Sequence, residues 1–214
     1  MGIKKFTAIA DATITNAFKP DLATRGTGAN TGLADSLEVF SIYNQVSGNV
    51  SGSSQELSRV LLKFPVTTTD DSTNSIQAQR TAGKIPSSGS VNFFLRLYNV
   101  KHHATLPRNA KYNIFAVSSS WEEGTGIDLD TYEDITRDAE GTNWIFKSSG
   151  STWLSPGGDY HTGTSGSNYL SADTNNIGVM YSQTLELGSE NIEIDISELV
   201  EQWVAGIKNN YGVG

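Results

Sequence analysis

The chain contains no cysteine. Disulfides, thiol catalysis and thiolate metal sites are thereby excluded, and the absence fits either redox compartment. Long apolar runs are also missing. No stretch is long enough to cross a bilayer as a helix, so no membrane partner is expected. The opening "MGIKKFTAIADATI" is charged at its start but has no apolar core of about 7–15 residues, so no secretory signal is expected there. Phe6 stands where N-myristoylation prefers Ser or Thr. Basic clusters are short: Lys4-Lys5 and Lys101-His102-His103 in a chain of net charge −8. Phosphate binding needs clustered Lys and Arg, so no nucleic-acid partner is expected. There is no Gly-x-Ser-x-Gly nucleophile elbow. His102 and His103 are adjacent; in extended chain neighbouring side chains point to opposite sides and do not converge on one metal.

What is abundant is turn chemistry. The 214 residues include 21 Gly, and Ser, Thr, Asn and Asp fill the spaces between short apolar runs. A length of this order suits one large all-β domain, and residues 1–214 are read as a single domain. "FTAIADATI" alternates Phe6, Ala8, Ala10 and Ala12 against Thr7, Ile9, Asp11 and Thr13, a strand that breaks near Asn16. "LEVFSIY" (37–43), "SRVLLKFPV" (58–66), "VNFFLRLYNV" (91–100) and "KYNIFAVSS" (111–119) are further strands, the last expected to pair with the one before it. Residues 76–80 suit one helical turn. "IGVMYSQTLEL" and "NIEIDIS" close the strand series.

One segment has a clean helical period. Ile196, Leu199, Val200, Trp203, Val204 and Ile207 recur at the spacing of one helix face. Asp195 or Ser197 is placed to cap it, with Glu198 three residues after Asp195 as in a capping box, and Asn209-Asn210 to end it. The fold class expected from these patterns is all-β, an antiparallel jelly-roll-type β-sandwich with one C-terminal amphipathic helix over about 197–208 and Trp203 as its core anchor.

Several stretches together resemble the DNRLRE (disaggregatase-related) family of carbohydrate-binding-module-like β-sandwiches. Ala10-Asp11-Ala12-Thr13 resembles the family's opening strand, "SRVLLKF" its Arg-x-Leu-Leu-x-Phe strand and "FLRLY" (94–98) its Leu-Arg-Leu-Tyr strand. "VSSSWEEGT" (117–125) resembles its Ser-Trp-acid-Glu segment, and "WLSPGGDY" (153–160) its Trp…Pro-Gly-Gly-Asp-aromatic loop. "IEIDISELVEQWVAG" with "NNYGV" resembles its final strand, helix and Asn-Tyr-Gly ending. The sequence departs after Phe64, where Pro65 replaces the family's usual Asp. The resemblance implies a helix across one end of the sandwich and a closing strand begun at Tyr211. The expectation is then either a chain truncated before its closing strand or a strand supplied by another chain.

The chemistry-bearing candidates are few. Asp128, Asp130 and Asp134 offer hard oxygen ligands suited to Ca²⁺, with Glu122 and Asp159 as further donors, although the run lacks the Gly and terminal Glu of an EF-hand. Trp144, Trp153 and Tyr160 lie in polar, Gly-rich surroundings and are the candidate carbohydrate-binding platform; the competing reading has them plug the end of the sandwich under Gly157-Gly158. Glu122-Glu123 and the acidic run 126–141 do not define the two facing carboxylates of a glycosidase. No catalytic residue and no cofactor beyond Ca²⁺ are expected.

Two functions follow as expectations. The first is a non-enzymatic structural protein of a tailed-phage virion, made in the host cytoplasm: a head decoration, a neck or collar component, or a tail-fibre attachment protein. An extracellular-type module without an export signal fits this, and "MGIKKFTAIADATITNAFKPDL" resembles the start of marine-phage structural proteins. Its partners would be other virion proteins or further copies in a homo-oligomer, through the long polar loops 16–36, 67–90 and 161–176. The alternative is an extracellular carbohydrate-binding module of a secreted or cell-surface polysaccharide-degrading protein, with a glycan as ligand.

Overall fold

A computed structural model describes residues 2–43, 55–100, 107–127, 140–161 and 180–214. The elements, in order, are β1 (Ala10–Thr15), β2 (Ser41–Ile42), β3 (Glu56–Lys63), α1 (Ile76–Thr81), β4 (Phe94–Leu97), β5 (Ala110–Phe115), β6 (Phe146–Ser148), β7 (Ser151–Thr152), β8 (Met180–Leu185), β9 (Ile192–Asp195) and α2 (Ser197–Val204). The fold is predominantly β, every ladder is antiparallel, and an amphipathic helix lies near the C-terminus. No helix among the described residues is long and apolar enough to cross a membrane. The chain forms two compact units, each assembled from separated segments.

One unit comprises Ala8–Lys63, Val117–Tyr160 and Gly214. Its sheet has the order β1-β3-β2, with Ala12 opposite Leu61 and Ile14 opposite Arg59. Ala12, Ile14 and Leu61 are completely buried, and so is Thr13 between them in sequence. A strand buried on both faces must satisfy its hydroxyls internally. Thr15 Oγ1 donates to the Leu57 carbonyl (2.9 Å), and Thr31 Oγ1 both accepts from the Thr13 N–H (2.8 Å) and donates to the Thr13 carbonyl (2.7 Å). The run 37–43 expected as a strand is reduced to β2, because Phe40 and Glu38 bond Ser58 and Thr13 side chains in place of a continuous ladder. β6 and β7 form a short hairpin turned at Gly150.

The other unit comprises Met1–Thr7, Phe64–Ala116 and His161–Val213. The turn expected over 76–80 is α1, capped by Ser75 Oγ, which accepts from the Ala78 N–H (3.2 Å). The pairing expected between neighbouring strands β4 and β5 is not made. β4 pairs with β9 and β5 with β8. The long-range partner supplies the better match: Leu95 faces Ile194 and Leu97 faces Ile192, while Arg96 faces Glu193 on the opposite surface in an ion pair of 2.9 Å. β8 and β9 are linked through a side chain. The Gln183 amide donates to the Asn191 carbonyl (3.1 Å) and accepts from the Glu193 N–H (2.9 Å), doing the work of a peptide unit.

α2 buries Leu199, Val200 and Trp203 as the periodicity predicts, together with Gln202. Its ends differ from expectation. Ile196 precedes the helix without a side-chain cap, since Ser197 Oγ accepts from the Phe93 N–H (2.7 Å) and Asp195 Oδ1 accepts from the Ser197 N–H (2.9 Å). The helix stops at Val204, not near 208. Gly206 has φ +71°, and the N–H groups of Gly206 and Ile207 return to the carbonyls of Trp203 (3.1 Å) and Gln202 (3.0 Å). This is a Schellman ending, which a glycine adopts without Cβ strain. Ile207 therefore leaves the apolar stripe and is 55% exposed. Arg80 of α1 grips Glu201 of α2 through two parallel hydrogen bonds, which raises the arginine pKa and lowers that of the glutamate.

Candidate functional site

Trp144, Trp153 and Tyr160 all lie in the first unit, and two of them, Trp144 and Tyr160, meet around Arg59 of β3. Arg59 is half-buried between the buried residues of β3, and its guanidinium needs partners there. It donates from Nη1 to the Gly157 carbonyl (2.5 Å), and its guanidinium carbon lies 5.2 Å from the Trp144 ring and 5.6 Å from the Tyr160 ring. The cation and two aromatic rings thus form one cluster.

The loop 153–160 closes over this cluster with little freedom. The Asp159 carboxylate accepts from the N–H groups of Leu154 (3.1 Å) and Ser155 (3.2 Å). The Gly157 N–H donates to the Trp144 carbonyl (2.7 Å), and the Ser118 N–H to the Asp159 carbonyl (2.9 Å). Gly157 and Gly158 sit at φ +93° and +100°. A Cβ at Gly157 would lie 2.9 Å from the Trp144 ring, and one at Gly158 would lie 2.6 Å from the Tyr160 hydroxyl. Both glycines are needed for space as well as for conformation.

Trp144 and Trp153 are 8% and 4% exposed. The Trp153 indole donates to the Asn143 carbonyl (2.9 Å), and Asn143 Oδ1 accepts from the N–H groups of Ile145 (2.9 Å) and Phe146 (2.7 Å). The two indoles are therefore packed inside the unit and do not form an open, flat platform. Tyr160 is half-buried, with its hydroxyl out of solvent. Asp128, Asp130 and Asp134 lie outside the described residues. Of the two further donors, Asp159 spends its carboxylate on backbone amides, and Glu122 Oε2 accepts from the Ser149 N–H (3.4 Å). Among the described residues no group of three or more His, Asp or Glu is arranged to hold a metal.

Arg59, Asn30 and Asn143 were not singled out by the sequence reading. Arg59 has a visible signal, a cation next to the apolar run Val60-Leu61-Leu62 in "SRVLLKF". Asn30 lies in the Gly-rich loop "TGANTG", which reads as an ordinary turn, yet it is 1% exposed and bonds at both ends of its amide.

Burial pushes the Tyr160 phenol pKa up to about 12, with Arg59 opposing the shift. The folded protein thus holds this proton more tightly than the unfolded chain. Its stabilisation is complete below the ordinary tyrosine value and is lost as the pH rises from about 10 through about 12. That shift corresponds to about 3 kcal/mol. Urea titrations near pH 8 and near pH 11 should show about half of this fall, about 1.4 kcal/mol, in the native protein and a smaller one in Tyr160→Phe. An identical alkaline fall in both would show that Tyr160 does not carry it.

Comparison with protein-family models, with curated proteins and with solved structures found no match for this chain.

Proposed function

We propose that the protein is a non-enzymatic structural component of a tailed-phage virion, a jelly-roll-type β-module serving as head decoration, neck or collar component, or tail-fibre attachment. The observation that carries this reading is the use made of the loop 153–160. Its carboxylate, its glycines and the aromatic residues beneath it are spent on bracing the loop, and a rigid exterior is what a particle component requires. Leu154 projects from the braced loop at 93% exposure. The lowered pKa values of Asp21, Asp71 and Glu190 are turn chemistry: Asp21 accepts from the Thr24 hydroxyl and then from backbone amides, and Asp71 and Glu190 accept first from backbone amides. Partners on this reading are other virion proteins or further copies of the chain.

Peptide mass spectrometry and immunogold labelling of purified particles test the proposal. The protein is expected at a stoichiometric copy number on the particle, and its absence from washed particles would overturn the reading. The alternative, a carbohydrate-binding module of a secreted or cell-surface protein, is supported by Tyr160, the one aromatic of the trio with appreciable exposure. Glycan-array binding that is lost in Tyr160→Ala would favour that alternative.

A further inference from the structure

β4 is an edge. Among the described residues no strand pairs with its side facing away from β9. The direction of its backbone groups follows from the register. The Phe93 carbonyl accepts from the Ile196 N–H (2.8 Å), and the Asn99 N–H donates to Asn191 Oδ1 (2.9 Å), so the odd-numbered residues turn their polar groups toward β9. In an antiparallel ladder the alternate residues turn theirs the other way. The N–H and C=O groups of Phe94, Arg96 and Tyr98 therefore aim outward along the open edge.

The side chains of the same residues are exposed. Phe94, Tyr98 and Val100 are 50%, 68% and 65% exposed, an apolar row broken by Arg96, whose charge is paired with Glu193. Edge strands are commonly protected by lysine, proline or a bulge. β4 has none of these, and its register with β9 is unbroken.

We propose that this edge pairs with the β4 edge of a second copy, antiparallel about a two-fold axis. The unpaired backbone groups select an extended strand as the occupant, and the identical strand offers the same alternation of apolar side chains. Charge decides the register. Centring the axis on Arg96 would oppose two arginines. Centring it on Leu97 sets each Arg96 opposite Tyr98 of the second copy and each Phe94 opposite Val100, with no like charges facing and with the outward-aimed backbone groups in hydrogen-bonding pairs. Each copy carries a net charge of −8, so the contact forms against a long-range repulsion that salt screens. The inference is independent of the virion reading: failure to find the protein on particles would leave it intact, and a monomer would leave the virion reading intact.

Sedimentation velocity on the full chain at about 100 µM should give twice the monomer mass, with the dimer fraction rising as NaCl is raised from about 50 to about 500 mM. The double variant Phe94→Lys, Tyr98→Lys, changed only at exposed positions, should sediment as a monomer with an unaltered circular dichroism spectrum. Because the native chain has no cysteine, Leu97→Cys reports the register directly by forming one intermolecular disulfide under mild oxidation. A native protein that stays monomeric, or a dimer untouched by the two lysines, overturns the proposal. A Leu97→Cys protein that dimerises without cross-linking overturns the register.

Discussion

Asn30→Ala should cost about 3–5 kcal/mol of stability, because it removes both sides of a four-bond node at once. Asn30 Nδ2 donates to the carbonyls of Glu123 (2.8 Å) and Thr142 (2.7 Å), and Oδ1 accepts from the N–H groups of Gly126 (2.7 Å) and Gly32 (3.3 Å). Truncation leaves the buried Thr142 carbonyl, the part-buried Glu123 carbonyl and two buried amides without these partners, and each such group costs about 1–3 kcal/mol if it stays dry. Water has little room to enter. A Cβ at Gly124 would fall 2.5 Å from Asn30 Oδ1, and one at Gly141 would fall 2.3 Å from the Gly124 Cα. Asn30→Asp should fail to rescue, since a second carboxylate oxygen would face two carbonyl oxygens where the amide donated. Urea denaturation followed by tryptophan fluorescence measures both variants. A loss below about 1 kcal/mol in Asn30→Ala would show that the surrounding loops do not depend on the node.

The second large effect belongs to Trp203. It is 2% exposed on the inner face of α2, beside Leu199 at 0% and Val200 at 3%. Trp203→Ala deletes the largest buried side chain of its unit and leaves a cavity in surroundings that relax only partly, so about 3–5 kcal/mol should be lost. Trp203→Phe retains most of the buried apolar area and should lose distinctly less. Thermal unfolding followed by circular dichroism separates the two. Equal losses would mean that the indole's specific shape, rather than its volume, holds α2 in place.

Both residues bear on what could be read before the fold was known. Trp203 was legible because a helix face repeats locally, so six spaced apolar residues announce the element and its buried side. The strands of β3 and β4 were legible for the same reason. The ends of α2 were less so: Asp195 and Ser197 look like caps in sequence, but Ser197 is spent on Phe93, a residue far away along the chain. Gly206 carries the true stop signal, whereas Asn209-Asn210 look like the stop in sequence. Strand partners were the least legible, since adjacency favoured β4 with β5, whereas matching of Leu95 and Leu97 with Ile194 and Ile192 decided otherwise. At the candidate site, Trp144, Trp153 and Tyr160 were recognisable as belonging near a Gly-Gly turn. Their cation, Arg59, comes from a distant strand, and no local pattern encodes that meeting. Asn30 is the extreme case, because an asparagine in a glycine-rich loop looks the same whether it faces water or holds a core together.

The Asn30 node also sets a schedule for synthesis. Its amide reaches Glu123 and Thr142, 93 and 112 residues further along the chain. At ribosomal speeds of about 5–20 residues per second, the partner at Thr142 is added roughly 6–20 s after Asn30 itself. Throughout that interval the early strands must emerge and wait, with the buried amide still hydrated, while an entire intervening segment of the other unit is produced. Final locking of the first unit is thus a late event on the ribosome. A nascent chain arrested before residue 142 is the species from which chaperones would have most to protect.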